Sequence, residues 1–123
     1  MSTLLFAPTG YWCLTDAGRT AFCNGCGARG KLDLIPDNLL GLDISECCNI
    51  HDYMYATADN TIEAKDSADR TFLNNMLRLI CNKGGFLAPL RRKRAYVYYL
   101  AVHKFGGPAF WEGKNKIEEG GFA

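Results

Sequence analysis

The sequence predicts a mainly α-helical protein. Three stretches carry apolar residues at intervals of three and four, which is the spacing of one helix face. Residues that begin or end helices bound these stretches, and no stretch shows the sustained alternation that is typical of a strand. With 123 residues, of which 48% are hydrophobic, the chain is long enough for one core, and we expect a single domain over residues 1–123.

The net charge argues against binding of nucleic acid, and the length of the apolar runs argues against a membrane-spanning helix. Fourteen basic and thirteen acidic residues leave a net charge of +1, which provides no general attraction to nucleic acid. The longest uncharged apolar run is well short of the ~20 residues that a membrane-spanning helix needs. We therefore expect no nucleic-acid partner, and a monomer is the separate expectation for the oligomeric state.

Six cysteines in a chain of 123 residues are typical of a disulfide-bonded protein from an oxidising compartment. The first ten residues, MSTLLFAPTG, have no basic start and only a short apolar run, so they do not read as a signal peptide. A removed signal, another export route and a reduced intracellular protein all remain open, and a secreted protein is the expectation. The spacing of Cys23 and Cys26 also allows a zinc site among free thiols.

Residues 1–42 are rich in Gly, Asp and Asn and are predicted to form mainly loop, with a sharp bend at the three glycines of residues 24–30. The first long helix is predicted over residues 44–58, with Asp43 as its N-cap and Glu46 completing a capping box. Its inward face would combine the following residues: Cys47, Cys48, His51, Met54, Tyr55 and Ala58.

Two further helices are predicted, over residues 61–81 and 89–105. Asn60 would cap the first of them and Gly84-Gly85 would end it, while Pro89 is favourable in the first turn of the other. The inward faces are predicted from the apolar spacing: Asp69, Phe72, Leu73, Met76 and Ile80 on the second long helix, and Leu90, Val97, Tyr98, Ala101 and Phe105 on the third.

His51 and Asp69 interrupt the apolar faces of two different helices. A buried polar group costs several kcal/mol unless it is paired, so we expect these two side chains to satisfy each other. If the helices pack antiparallel, both residues lie at a similar height, because each is nine residues from Asn60. The carboxylate would hold one imidazole nitrogen and leave the other free to accept a proton from water. Tyr55, one turn after His51, could donate to the same carboxylate. The alternative is a core histidine with an acidic partner and no chemistry.

Asp52 follows His51 and points about 100° away from it around the helix. A carboxylate near a glycine-rich loop is the minimum for a calcium site, since such a loop can turn several carbonyl oxygens toward one point. An Asp near glycines is weak evidence by itself, and a solvated helix residue is the alternative.

These residues together resemble a known family. The run Cys47-Cys48-Asn49-Ile50-His51-Asp52-Tyr53-Met54-Tyr55 resembles the C-C-x-x-H-D-x-C-Y signature of secreted phospholipase A2 enzymes. Asp69-Arg70-Thr71-Phe72 is similar to the segment of the facing helix in that family, and Gly25-Cys26-Gly27-Ala28-Arg29-Gly30 is similar to its calcium loop. The match covers about residues 23–81 and is nearer to the compact bacterial and fungal members.

The resemblance implies a role for each residue. His51 would be the base that activates water, Asp69 would orient it, and Tyr55 would support Asp69. Asp52 would bind Ca²⁺ together with backbone carbonyls of the loop, which are those of Gly25, Gly27 and Arg29. The Gly27 amide would donate a hydrogen bond to the oxyanion.

The activity that the resemblance implies is hydrolysis of the sn-2 ester of glycerophospholipids in membranes or micelles, without a covalent enzyme intermediate. The alternative is a catalytically silent module of the same fold that binds a membrane or a protein. The presence of all four residues of the motif speaks against the silent module. Those four residues are His51, Asp52, Tyr55 and Asp69.

The resemblance pairs Cys26 with Cys48, which would fasten the calcium loop to the helix of Asp52. Cys47 with Cys81 and Cys13 with Cys23 would complete the set, although six cysteines permit many other pairings. Met54 and Ala68 stand where the family has one further bridge between the two helices, so both members of that bridge are absent together. Arg29 replaces a usual glycine of the loop.

The cluster Arg91-Arg92-Lys93-Arg94 begins the third long helix. It is either a solvated basic turn or a contact for an anionic lipid surface. Trp12, Phe110 and Trp111 are of the residue types that settle at headgroup depth. His103 has no evident acidic partner and is predicted to be structural.

Overall fold

The computed structural model describes residues 4–18, 36–107 and 110–111 of the chain. The elements in chain order are α1 (Thr9–Trp12), β1 (Asn38–Leu39), β2 (Leu42–Asp43), α2 (Ser45–Thr57), α3 (Ile62–Lys83) and α4 (Ala88–Phe105). The mainly helical class is confirmed. The predicted calcium loop, residues 25–30, lies outside the described residues.

Helices α2 and α3 begin one residue later than predicted. Asp43 does not cap α2 itself; its Oδ1 accepts a hydrogen bond from the Ser45 amide at 2.8 Å, beside the N-cap residue Ile44. At α3 the cap is Thr61, whose Oγ1 accepts from the Ala64 amide at 3.1 Å. Gly84 ends α3 with φ 66°, a backbone conformation that glycine adopts without steric cost.

The main core lies between α2, α3 and α4. Residues 58–61 connect α2 to α3, so the two helices run antiparallel, and α4 packs against α3. The buried apolar side chains of these helices are Cys47, Cys48, Ile50, Phe72, Met76, Ile80, Ala95, Tyr98 and Val102. The predicted inward faces are confirmed for most of their residues, which are buried: Cys47, Cys48, His51 and Tyr55 on α2, and Asp69, Phe72, Met76 and Ile80 on α3. Among the described helices, none combines the length and the apolar character needed to cross a bilayer.

The prediction for the inward face of α4 was right for Tyr98, which is buried, and for Ala101, which packs partly buried against the core, but wrong for the other three residues. Leu90, Val97 and Phe105 are each more than half exposed. The face of α4 that packs against the core presents Tyr98 together with Arg91, Ala95 and Val102, which were not predicted. The apolar residues of α4 occupy more than one face, and therefore their spacing alone did not identify the packed one.

A short β-hairpin was not predicted. Its strands are two residues each, which is too short for an alternating pattern, and Leu40 and Gly41 turn the chain at φ 50° and 89°. Arg91 fixes the hairpin to α4, because its guanidinium donates to the carbonyls of Leu39 at 3.0 Å and Leu40 at 2.8 Å. Arg91 therefore does not belong to an exposed basic cluster, whereas Arg92, Lys93 and Arg94 are exposed.

The N-terminal segment is held by a buried amide. The Asn75 side chain on α3 accepts from the Phe6 amide and donates to the Phe6 carbonyl, both at 2.8 Å. Within the same segment, the hydroxyl of the buried Tyr11 donates to Glu46 on α2. These contacts hold residues 4–12, which were predicted as loop and include the short helix α1, against α3 at Asn75 and against the start of α2 at Glu46.

Two of the predicted disulfides were wrong. Cys13, Cys47 and Cys81 are free, so the pairs Cys47–Cys81 and Cys13–Cys23 do not form. The physical reason is orientation: Cys47 is fully buried, whereas Cys81 follows Ile80 by one position and points away from the packed face of α3. Cys48 is disulfide-bonded to a partner outside the described residues. Cys26 also lies outside them, and the Cys26–Cys48 bridge stays a prediction.

The three free cysteines are expected to differ strongly in reactivity. Burial, with a smaller effect from the charge of Glu46, raises the pKa of the Cys47 thiol to about 12, so almost no thiolate forms at neutral pH. Cys13 and Cys81 are exposed. In native protein, iodoacetamide should label Cys13 and Cys81 and spare Cys47, as read by peptide mass spectrometry. In denaturant without reductant all three should react, and protection of Cys13 or Cys81 there would contradict the free state.

Candidate functional site

The structure brings His51 and Asp69 together at the centre of the α2–α3 contact, as their spacing predicted. The His51 Nε2 lies 2.8 Å from the Asp69 Oδ1. Both side chains are buried, with 1% and 0% of their surface exposed. Because an ionised carboxylate only accepts hydrogen bonds, Nε2 carries the proton and Nδ1 is the basic nitrogen of the ring.

Tyr55 binds the same carboxylate oxygen as His51. Its hydroxyl donates to Asp69 Oδ1 at 2.6 Å. The structure therefore contains the hydrogen bond that was predicted between Tyr55 and Asp69. Phe110, which is of a residue type that settles at headgroup depth, is buried, and its ring lies 5.1 Å from that of Tyr55.

Ring contacts hold the imidazole of His51 in place. The Tyr55 ring lies 4.2 Å from the imidazole and the Phe72 ring 4.9 Å from it, measured between centroids. Gly106, after α4, permits a close approach, because a Cβ there would lie 2.8 Å from the Tyr55 hydroxyl. The rotamers of both partners of Asp69 are thus restricted by packing as well as by hydrogen bonds.

Lys65 is the residue of this site that the sequence analysis missed. It is one turn before Asp69 on α3 and is 6% exposed, and its Nζ donates to Asp69 Oδ2 at 2.7 Å. A signal was present, because Lys65 continues the buried face of Asp69 at a spacing of four residues. Lys65 is a charged group on an apolar face, as Asp69 is.

Burial and hydrogen bonding together set the protonation states of the His51–Asp69 pair, which we call the dyad. Burial lowers the pKa of His51, and it outweighs the opposing effect of the Asp69 carboxylate. Burial alone would raise the pKa of Asp69, but the hydrogen bonds from His51, Lys65 and Tyr55 lower it below its ordinary value. At neutral pH this gives an ionised Asp69 next to a neutral imidazole, the state that a general base requires.

Tyr55 remains a hydrogen-bond donor over the whole physiological range. Burial raises its pKa strongly, and the charges of Asp69 and, to a smaller extent, Asp52 add to that effect.

Asp52 is half-buried on α2, directly after His51. The described residues contain no group of three or more His, Cys, Asp or Glu side chains that could hold a metal ion. A set of one carboxylate with several backbone carbonyls, which the resemblance implies for Asp52, suits calcium rather than zinc. The predicted carbonyl ligands Gly25, Gly27 and Arg29, including the predicted oxyanion amide of Gly27, lie outside the described residues. Cys23 of the zinc alternative lies outside them as well.

A cavity of about 480 Å³ adjoins the site on the side of Lys65. It lies between the start of α3 and the end of α4, and its lining residues include Lys65, Asp66, His103, Lys104 and Trp111. His51 is not among its lining residues. His103 has acidic neighbours after all, with its Nδ1 3.5 Å from Asp66 Oδ1 and 3.9 Å from Asp69 Oδ2. The prediction that His103 has no acidic partner was wrong, because both carboxylates come from another helix.

The site is identified from its geometry and from the sequence motif alone. Neither a scan against protein-family models nor searches of curated proteins and of solved structures find a match to the chain.

Proposed function

We propose that this protein is a calcium-dependent phospholipase A2 that hydrolyses the sn-2 ester of glycerophospholipids. The observation that supports the proposal is the buried His51–Asp69 pair with Tyr55 on the same carboxylate oxygen. The residues stand at the spacing of the signature that the sequence resembles. A core histidine without chemistry needs an acceptor such as Asp69, but it does not need an aromatic donor on the same carboxylate oxygen or a further carboxylate at the next position, Asp52.

The chemistry follows from the protonation states. Neutral His51 accepts a proton from a water molecule at Nδ1, while its Nε2–H remains bonded to Asp69. The hydroxide equivalent attacks the ester carbonyl, and the imidazolium then returns the proton to the leaving glycerol oxygen. Asp69 stabilises the imidazolium, and Tyr55 keeps the carboxylate in place. Proton transfer of this kind typically contributes about 10²–10⁴-fold to the rate.

Asp52 would hold the calcium ion together with the carbonyls of Gly25, Gly27 and Arg29. When bound, calcium supplies a positive charge that polarises the ester carbonyl and attracts the phosphate of the lipid. The Cys26–Cys48 bridge would tie the loop to α2, the helix that presents both His51 and Asp52. The protein would act outside the cell, where calcium and oxidised cysteines are both available.

The direct test is release of fatty acid from phospholipid vesicles. With excess calcium we expect release that stops when a chelator is added and resumes when calcium is restored. The matched control is the same protein after reduction and denaturation. Folded, oxidised protein that releases no fatty acid in any condition would contradict the proposal and favour the silent module, for which vesicle binding would then be measured.

A further inference from the structure

We propose that Lys65 is a positioning residue of the dyad, which fixes the Asp69 carboxylate through Oδ2 and couples it to the C-terminal end of α4. The kinetic part of this inference rests on the proposed function. The ammonium group touches no reacting atom in this assignment, and it acts through Asp69.

The first support is that the hydrogen-bonding capacity of Lys65 is fully used. An ammonium has three donors. Nζ donates to Asp69 Oδ2 at 2.7 Å, to the Val102 carbonyl at 3.2 Å and to the His103 carbonyl at 3.3 Å. The two carbonyls belong to the last turn of α4, where a positive charge is also favourable for the helix dipole. The ammonium therefore has one position that satisfies all three bonds.

The second support is the division of the Asp69 oxygens. Oδ1 accepts from His51 and Tyr55, whereas the close hydrogen bond to Oδ2 comes from Lys65. Rotation of the carboxylate would break bonds at both oxygens at once. His103 does not replace Lys65, because its Nδ1 is 3.9 Å from Oδ2, beyond hydrogen-bond distance. Lys65 thus keeps Oδ1 in the plane that His51 needs.

The third support is charge. Asp69 is fully buried, and a buried carboxylate next to a neutral imidazole requires a compensating cation. Lys65 provides it from within α3. The other titratable groups around Asp69 are distributed over the three long helices: Asp52 and Tyr55 on α2, Asp66 on α3, and Tyr99 and His103 on α4.

The end of α4 also reaches the other partner of Asp69. Val102 and His103 accept from Lys65, and Gly106 lies directly against the Tyr55 hydroxyl. The same helix end therefore contacts one donor on each oxygen of the carboxylate. Displacement of this end would disturb Asp69 through Lys65 and Tyr55 together.

The test is the Lys65→Met substitution, which keeps the length of the side chain and removes the ammonium. It is made in the wild-type chain and in the Asp69→Asn variant. The matched control is Lys104→Met, an exposed lysine that lines the same cavity. In the wild-type background Lys65→Met should lower kcat about 10- to 100-fold, the loss expected from a misplaced catalytic group, with KM almost unchanged. In the Asp69→Asn background it should cause no further loss, because Lys65 acts through Asp69.

An equal loss of kcat in both backgrounds would overturn the proposal, and so would full activity of Lys65→Met. If Lys65→Met alone does not fold, as judged by circular dichroism, the comparison of Asp69→Asn with the double variant decides. In the double variant the Asp69 carboxylate and the Lys65 ammonium are removed together, so that neither charge is left buried without the other. Further loss in the double variant would contradict a role through Asp69, and unchanged kcat would support it.

A spectroscopic measurement separates this inference from the proposed activity. The ¹⁵N shifts of the His51 imidazole, assigned by comparison with His51→Gln, report its hydrogen bond to Asp69 whether or not lipid is hydrolysed. Lys65→Met should change these shifts and Lys104→Met should not. If the wild-type protein releases no fatty acid, the proposed function is contradicted. The ¹⁵N shifts still test whether Lys65 positions Asp69. Unchanged shifts in Lys65→Met would overturn the positioning role.

Discussion

Replacement of His51 by glutamine is expected to lower kcat for phospholipid hydrolysis by about 10²–10⁴-fold, the usual contribution of a general base. Glutamine has a similar size and can still donate to Asp69, so the packing against Tyr55 and Phe72 is retained. Its amide does not accept a proton at neutral pH. The measurement is initial-rate fatty-acid release at saturating calcium, with circular dichroism to show that the fold is intact.

Two companion variants and one binding measurement make the His51 result specific. His103→Gln replaces the other histidine of the chain, whose exposed side chain lies 3.9 Å from Asp69 Oδ2, beyond hydrogen-bond distance, and it should retain activity. Calorimetry should show nearly unchanged calcium affinity in His51→Gln. Asp52→Lys should lose both calcium binding and turnover, because it places a positive charge at the proposed ligand. Full activity of His51→Gln would show that the dyad is not the catalytic base.

Replacement of Asp69 by alanine is expected to lower the free energy of unfolding by about 3–5 kcal/mol, the usual cost of removing one partner of a buried ion pair. The change leaves the Lys65 ammonium buried without its carboxylate. His51 and Tyr55 lose their common acceptor as well. Urea unfolding at neutral pH measures the difference from the wild-type protein.

Asp66→Ala is the matched control on the same helix. Asp66 pairs with the exposed Arg70, and a surface pair of this kind contributes about 0–1 kcal/mol. A loss for Asp69→Ala no larger than that for Asp66→Ala would contradict the buried ion pair. The comparison therefore separates burial of the pair from simple removal of a carboxylate.

The contribution of Asp69 to stability should also depend on pH. The folded protein lowers the pKa of Asp69, so its contribution is complete above the unfolded pKa of about 4 and is lost as pH falls through the folded value. The difference between wild-type protein and Asp69→Ala should therefore be constant near neutral pH and should narrow below about pH 4. A difference that grows in acid would contradict a lowered pKa.

The sequence by itself determined the two helices of the site and the pairing within it. The spacing of apolar residues located α2 and α3 to within two residues at each end. His51 and Asp69 were recognisable because each is a polar residue on an apolar face, and their equal distance from Asn60 predicted that they meet. Tyr55 followed from helix geometry alone. These features depend on short-range periodicity, which a single sequence records directly.

The tertiary structure decided what comes from residues far apart in the chain. Lys65 binds carbonyls of the last turn of α4, and Arg91 binds those of the β-hairpin, contacts for which local spacing contains no signal. The packed face of α4 was misjudged because its apolar residues surround the helix. Cys47 and Cys81 are both on helices that pack together, yet the direction of each side chain keeps them apart. Local pattern specifies which face of a helix can be buried, and only packing of the whole chain determines which face is buried and what each polar group meets there.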